Sequence, residues 1–131
     1  MPLPPSVAEQ IKLQSTLLKH ISFLVDITFE SYDQIETRCY ISKYTMQRYL
    51  NGKRPFDIYS IAKICVGARL TVQKTEELFK IYGHPLDVDA YRFDAILINA
   101  INNKCRIIDF YNTCKEYGFE AMWWEWDRYS N

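Results

Sequence analysis

At 131 residues, 48% of them hydrophobic, the chain can bury one compact core with an appended helical arm, which excludes two independent domains of ordinary size. Four Gly and five Pro leave little room for long irregular loops, so an all-α fold is expected, and no apolar run approaches the roughly 18 residues of a membrane span. The formal charge of zero conceals an uneven layout: residues 1–37 carry two Lys and five acids, residues 38–85 nine Lys or Arg and three acids, and residues 86–131 five and eight.

The chain begins with a Pro-rich leader that lacks the positive charge and apolar stretch of a signal peptide, so a cytoplasmic location is expected. Ser6 and Glu9 then form a capping box, and Val7, Ile11, Leu17, Leu18, Ile21, Leu24 and Val25 recur at helical spacing. This pattern predicts a long first helix. A second capping box, Ser31 with Gln34, opens a short helix near Tyr32 that turns Ile35 and Cys39 inward, with room for about two turns before Ile41. Ser42 caps a third helix through Asn51, and Gly52 supplies the left-handed residue at its end.

Lys53, Arg54 and Pro55 form a connector. Ile58, Ile61, Ala62, Cys65 and Val66 predict a core helix up to Gly67. Thr71 caps a fifth helix carrying Val72, Leu78, Phe79 and Tyr82, with Gly83, His84 and Pro85 as its stop. Residues 87–102 read as a sixth helix with Val88, Tyr91, Ala95, Leu97 and Ile98 apolar. A seventh follows the break at Asn102 and Asn103, carrying Cys105, Ile107, Ile108, Tyr111 and Cys114 and ending at Gly118.

The second and third helices carry the functional reading. Two short helices joined by a tight turn, the second basic on its outward side, suit the major groove, which admits one helix and presents base-specific donors and acceptors to it. Ile35, Ile41, Met46 and Leu50 are expected to face inward, leaving Lys43, Tyr44, Gln47, Arg48 and Asn51 outward. Lys and Arg donate to guanine O6 and N7, Gln bonds adenine bidentately, and Tyr44 suits a thymine methyl or a phosphate. No acid interrupts the run of Arg38, Lys43, Arg48, Lys53 and Arg54, a concentrated cation source for phosphates.

These residues resemble the lambda repressor-like helix-turn-helix family, also called the XRE family. The likeness runs from Ile41 to Met46, through Tyr49, Leu50, Asn51 and Gly52, to Lys53, Arg54 and Pro55, and on from Ile58 to Leu70, covering roughly residues 6–80. It implies a five-helix domain, here residues 6–85, that binds double-stranded DNA, usually as a homodimer, in transcriptional control; residues 86–131, beyond the likeness, are expected to form a C-terminal helical extension. By position, the resemblance makes Lys43, Tyr44 and Arg48 base-contacting, and Gln47, outward on the same helix, is expected to contact bases with them. It makes Tyr32, Asn51, Lys53 and Arg54 phosphate-contacting, with Tyr32 also touching the recognition helix. Two positions depart from the family pattern. The usual Gly of the turn is replaced near Tyr40, at about 1 kcal/mol or more if φ must be positive, and Tyr32 stands where the family often has Gln.

Other chemistry finds no support. There is no Walker A loop, no H-E-x-x-H and no G-x-S-x-G, so no enzyme is expected. His20 and His84 read as structural, and Cys39, Cys65, Cys105 and Cys114 as reduced core residues. Neither a cofactor nor a metal site is expected. Met122, Trp123, Trp124 and Trp126 form an aromatic tail, expected to pack on the preceding helices, on a second subunit or on a protein partner. The rival reading is a protein-binding adaptor that has kept the helix-turn-helix shape.

Overall fold

The computed structural model describes residues 6–120, and every regular element among them is helical. In chain order these are α1 (Val7–Thr28), α2 (Tyr32–Cys39), α3 (Lys43–Leu50), α4 (Ile58–Gly67), α5 (Val72–Tyr82), α6 (Arg92–Asn102) and α7 (Ile107–Glu116). Among the described residues no helix is long and apolar enough to cross a membrane. The aromatic tail from Met122 to Trp126 lies outside the described residues.

The helix starts follow from side chains that satisfy otherwise unpaired N–H groups, each contributing about 1 kcal/mol. Ser6 Oγ accepts from the Glu9 N–H and the Glu9 carboxylate accepts from the Ser6 N–H, both at 3.2 Å. Ser31, Ser42 and Thr71 likewise accept from the N–H groups of Gln34, Thr45 and Lys74. The Gln34 side chain reaches one residue further back than a capping box requires, accepting from the Glu30 N–H at 3.0 Å. α4 has a cap that the sequence reading passed over: Asp57 Oδ1 accepts from the Ser60 N–H at 2.7 Å.

α4 is the axle of the fold. Every residue from Ser60 to Gly67 is buried, and the helix touches α2, α5, α6 and α7, as expected of a segment apolar on nearly all sides. Ile61, Ile64 and Cys65 are fully enclosed, and full burial of one aliphatic side chain contributes about 1.5–3 kcal/mol. Buried residues form one continuous cluster from Leu17 in α1 to Cys114 in α7. Val7 and Ile11, expected on the inward stripe of α1, are 71% and 64% exposed, because the first two turns extend past the core.

Lys63 is buried within this axle, so it contributes nothing to the cationic surface of the middle segment. Burial brings its pKa down from 10.5 to about 8, against the opposing pull of Asp57. Burial also pushes the Cys39 and Cys65 thiols up from 9.0 to about 12. The linkage signs are opposite. From about pH 8 the unfolded chain holds a proton that folded Lys63 has lost, so stability rises with pH. Above pH 9 the unfolded thiols ionise while the folded ones do not, and two cysteines outweigh one lysine. Urea midpoints are therefore expected to peak near pH 9, with the rise absent in Lys63→Met. A steady fall from pH 7 upward in the native protein would contradict this assignment.

The sixth helix starts later than residue 87. Asp87 Oδ1 accepts from the N–H groups of Asp89 and Ala90, which folds residues 87–90 into a turn. Asp94, 1% exposed in the first turn of α6, accepts from the Asp87 N–H at 3.0 Å and lies 3.2 Å from His84 Nε2. This pins the α5–α6 loop and leaves Val88 and Tyr91 exposed. Of the expected apolar set Leu97 is buried, and it is joined in the buried stripe by Phe93, Ile96, Ala100 and Ile101.

Candidate nucleic-acid interface

α2 and α3 are eight residues each and are separated by Tyr40, Ile41 and Ser42. Tyr40 occupies the left-handed region at φ 55°, ψ 39°, the conformation that a Gly would adopt more cheaply. Its ring meets Tyr111 of α7 edge-on at 6.2 Å, so a helix distant in sequence braces the turn. Ile41 is buried behind the turn, and Ser42 Oγ both accepts from the Thr45 N–H and donates to Thr45 Oγ1.

One side of α3 is sealed by Thr45, Met46 and Tyr49, all buried. Tyr49, rather than the expected Leu50, takes the last inward position, where its ring stacks on Phe56 at 4.9 Å and 10°; Leu50 is half-buried. The opposite side presents Lys43 and Tyr44 exposed, with Gln47 and Arg48 partly exposed. The Arg48 guanidinium lies 5.8 Å from the Tyr44 ring centroid, one turn away. The Lys43 ammonium lies 5.7 Å from the centre of the Tyr32 ring at the start of α2. The two helix starts thus meet through a cation and an aromatic face.

The C-terminal end of α3 is built as a Schellman turn. Gly52 has φ 72°; its N–H donates to the Tyr49 carbonyl, and the N–H groups of Lys53 and Arg54 both donate to the Arg48 carbonyl. Asn51 and Lys53 are exposed, while Arg54 is half-buried with its guanidinium 5.2 Å from the Tyr49 ring centroid. Of the eight residues singled out from sequence, Lys43, Tyr44, Gln47 and Arg48 lie on the start and outer side of α3 with Tyr32 beside Lys43, and Asn51, Lys53 and Arg54 gather at its end.

Two residues that the sequence reading missed hold this arrangement. The Gln14 amide in α1 donates to the Phe56 carbonyl at 3.1 Å and accepts from the Phe56 N–H at 2.9 Å, clamping the loop that follows α3. Forty-two residues separate the partners, so no local pattern announced the contact. Glu36 in α2 accepts from the Lys43 N–H and closes the N terminus of α3, favourably for the helix dipole. It also sets one negative charge at the rim of a cationic surface; its place three residues after Asp33 and seven before Lys43 was a visible cue. The chain matches none of the protein-family models, curated proteins or solved structures with which it was compared.

Proposed function

We propose that this chain is a sequence-specific double-stranded-DNA-binding transcriptional regulator of the lambda repressor-like kind, with residues 6–85 as reader and residues 86–131 as a helical extension. The observation that carries the reading is α3: one side sealed by Thr45, Met46 and Tyr49, the other displaying Lys43, Tyr44, Gln47 and Arg48 beyond a three-residue turn. A helix so mounted fits the major groove. Phosphate contacts from Tyr32, Asn51, Lys53 and Arg54 would fix the register, while the outward residues of α3 choose bases. In a homodimer acting as a repressor on an inverted-repeat operator, the two α3 helices would lie about 34 Å apart.

Selection of bound sites from random duplex DNA tests this directly. An enriched inverted repeat is expected, with affinity falling steeply as salt rises. Arg48→Ala is then expected to weaken binding by about 1–3 kcal/mol, concentrated at one base position. Lys53→Ala should instead weaken all sequences nearly equally and lower the salt slope by about one. A chain with no duplex preference, whose affinity is unchanged when Lys43, Tyr44 and Arg48 are all replaced by Ala with helical circular dichroism retained, would overturn the assignment in favour of a protein-binding adaptor.

A further inference from the structure

A second cationic region lies where the C-terminal ends of α4 and α6 meet the start of α7. Two cavities of about 340 and 430 Å³ share Val66, Arg69 and Cys105 in their walls, so they are adjoining lobes of one groove. Lys104 lines the first lobe; Arg106 and the C-terminal end of α2, at Thr37 and Arg38, line the second. Among the described residues, no acid lines either lobe.

The cations differ in their engagement. Arg38 turns its guanidinium onto the Phe29 ring at 5.0 Å, and Arg106 meets Asp109 at 3.5 Å in a solvent-exposed pair. Among the described residues the side chains of Arg69 and Lys104 have no hydrogen bond or ion pair, and both are exposed. Both follow a helix C-cap in the left-handed region, at φ 55° and 51°, where Gly or Asn is cheaper by about 1 kcal/mol. A favourable helix dipole accounts for one cation at each end. It does not account for two such ends facing one concave, acid-free groove.

We propose that this groove binds a small phosphate monoester of nucleotide size. The combined space falls within the range of small-molecule sites, which pair an apolar wall with a few placed polar groups. Val66, Ile101 and Ile107 supply the wall for a nucleoside-sized body. Arg69, Lys104 and Arg106 supply donors for the phosphate, with guanidinium the better geometric match to its oxygens. Because the groove includes the end of α2, an occupant would bridge α2, α4 and α7; any effect on duplex binding rests on the DNA reading above, whereas binding itself does not.

Calorimetric titration of the full chain with adenosine and guanosine 5′-monophosphates, inorganic phosphate and adenosine tests the proposal without DNA. At least one nucleotide is expected to bind one-to-one, with adenosine and inorganic phosphate each about tenfold weaker or more, since each lacks half of the match. Arg69→Asn with Lys104→Asn removes both charges yet tolerates the left-handed backbone, so the fold should persist by circular dichroism while nucleotide affinity drops about tenfold or more. Absence of binding by either nucleotide at millimolar concentration, inorganic phosphate binding as tightly as the nucleotides, or undiminished affinity in the double variant would each overturn it. Loss of duplex affinity in that variant without nucleotide binding would assign these cations to the DNA backbone instead.

Discussion

Replacement of Phe110 by Ala is expected to cost about 3–5 kcal/mol, the range for a large aromatic removed from a closed core. Phe110 is 1% exposed, its ring 6.1 Å from Phe93, which in turn meets Tyr59 of α4 edge-on at 5.2 Å. The consequence should reach beyond α7, because α4 also carries α2 and α5. Amide exchange in α2 and α3 is expected to accelerate in parallel with the loss of global stability. Unchanged protection of α2 and α3 in a destabilised Phe110→Ala protein would show that α6 and α7 melt as a separate unit.

Gly67→Val is expected to cost about 3 kcal/mol or more, at the upper end for overpacking. A Cβ at position 67 would stand 2.6 Å from the Arg38 carbonyl oxygen and would press into Cys39 Sγ. The oxygen belongs to backbone, so relief requires α2 to part from α4. Gly67→Ala is milder: the same clash is partly offset by the roughly 1 kcal/mol advantage of Ala over Gly inside a helix. Thermal melts should rank native above Ala above Val. An Ala variant more stable than native would mean that the two helices do not approach so closely. Under the DNA-binding reading, displacing α2 also disturbs the Tyr32–Lys43 contact at the base of α3. Loss of duplex affinity is then expected to accompany the Ala substitution even where most of the protein stays folded.

Where sequence and structure agree, the signals were local. The caps at Ser6, Ser31, Ser42 and Thr71 act within three residues, and the left-handed residue at Gly52 terminates α3 through bonds spanning at most six. The conformation of the turn at Tyr40 was left open by the sequence, which showed only that a Gly is replaced there; the structure puts Tyr40 in the left-handed region. The sixth helix shows the limit of periodicity. Val88 and Tyr91 extend its apolar spacing backward, but the Asp87 side chain captures the N–H groups of Asp89 and Ala90 and makes a turn more favourable there.

The sequence by itself determined the all-helical class, the caps and turn residues, and the basic, polar outward set on α3, because these depend on neighbours within a few positions. Tertiary structure alone decided the rest. It placed Tyr111 against Tyr40, bound Gln14 to Phe56, brought Gly67 against the Arg38 carbonyl, and enclosed Lys63 despite its charge. Each of these is set by how helices far apart in the chain share one core around α4, where closeness in space has no counterpart in spacing along the sequence.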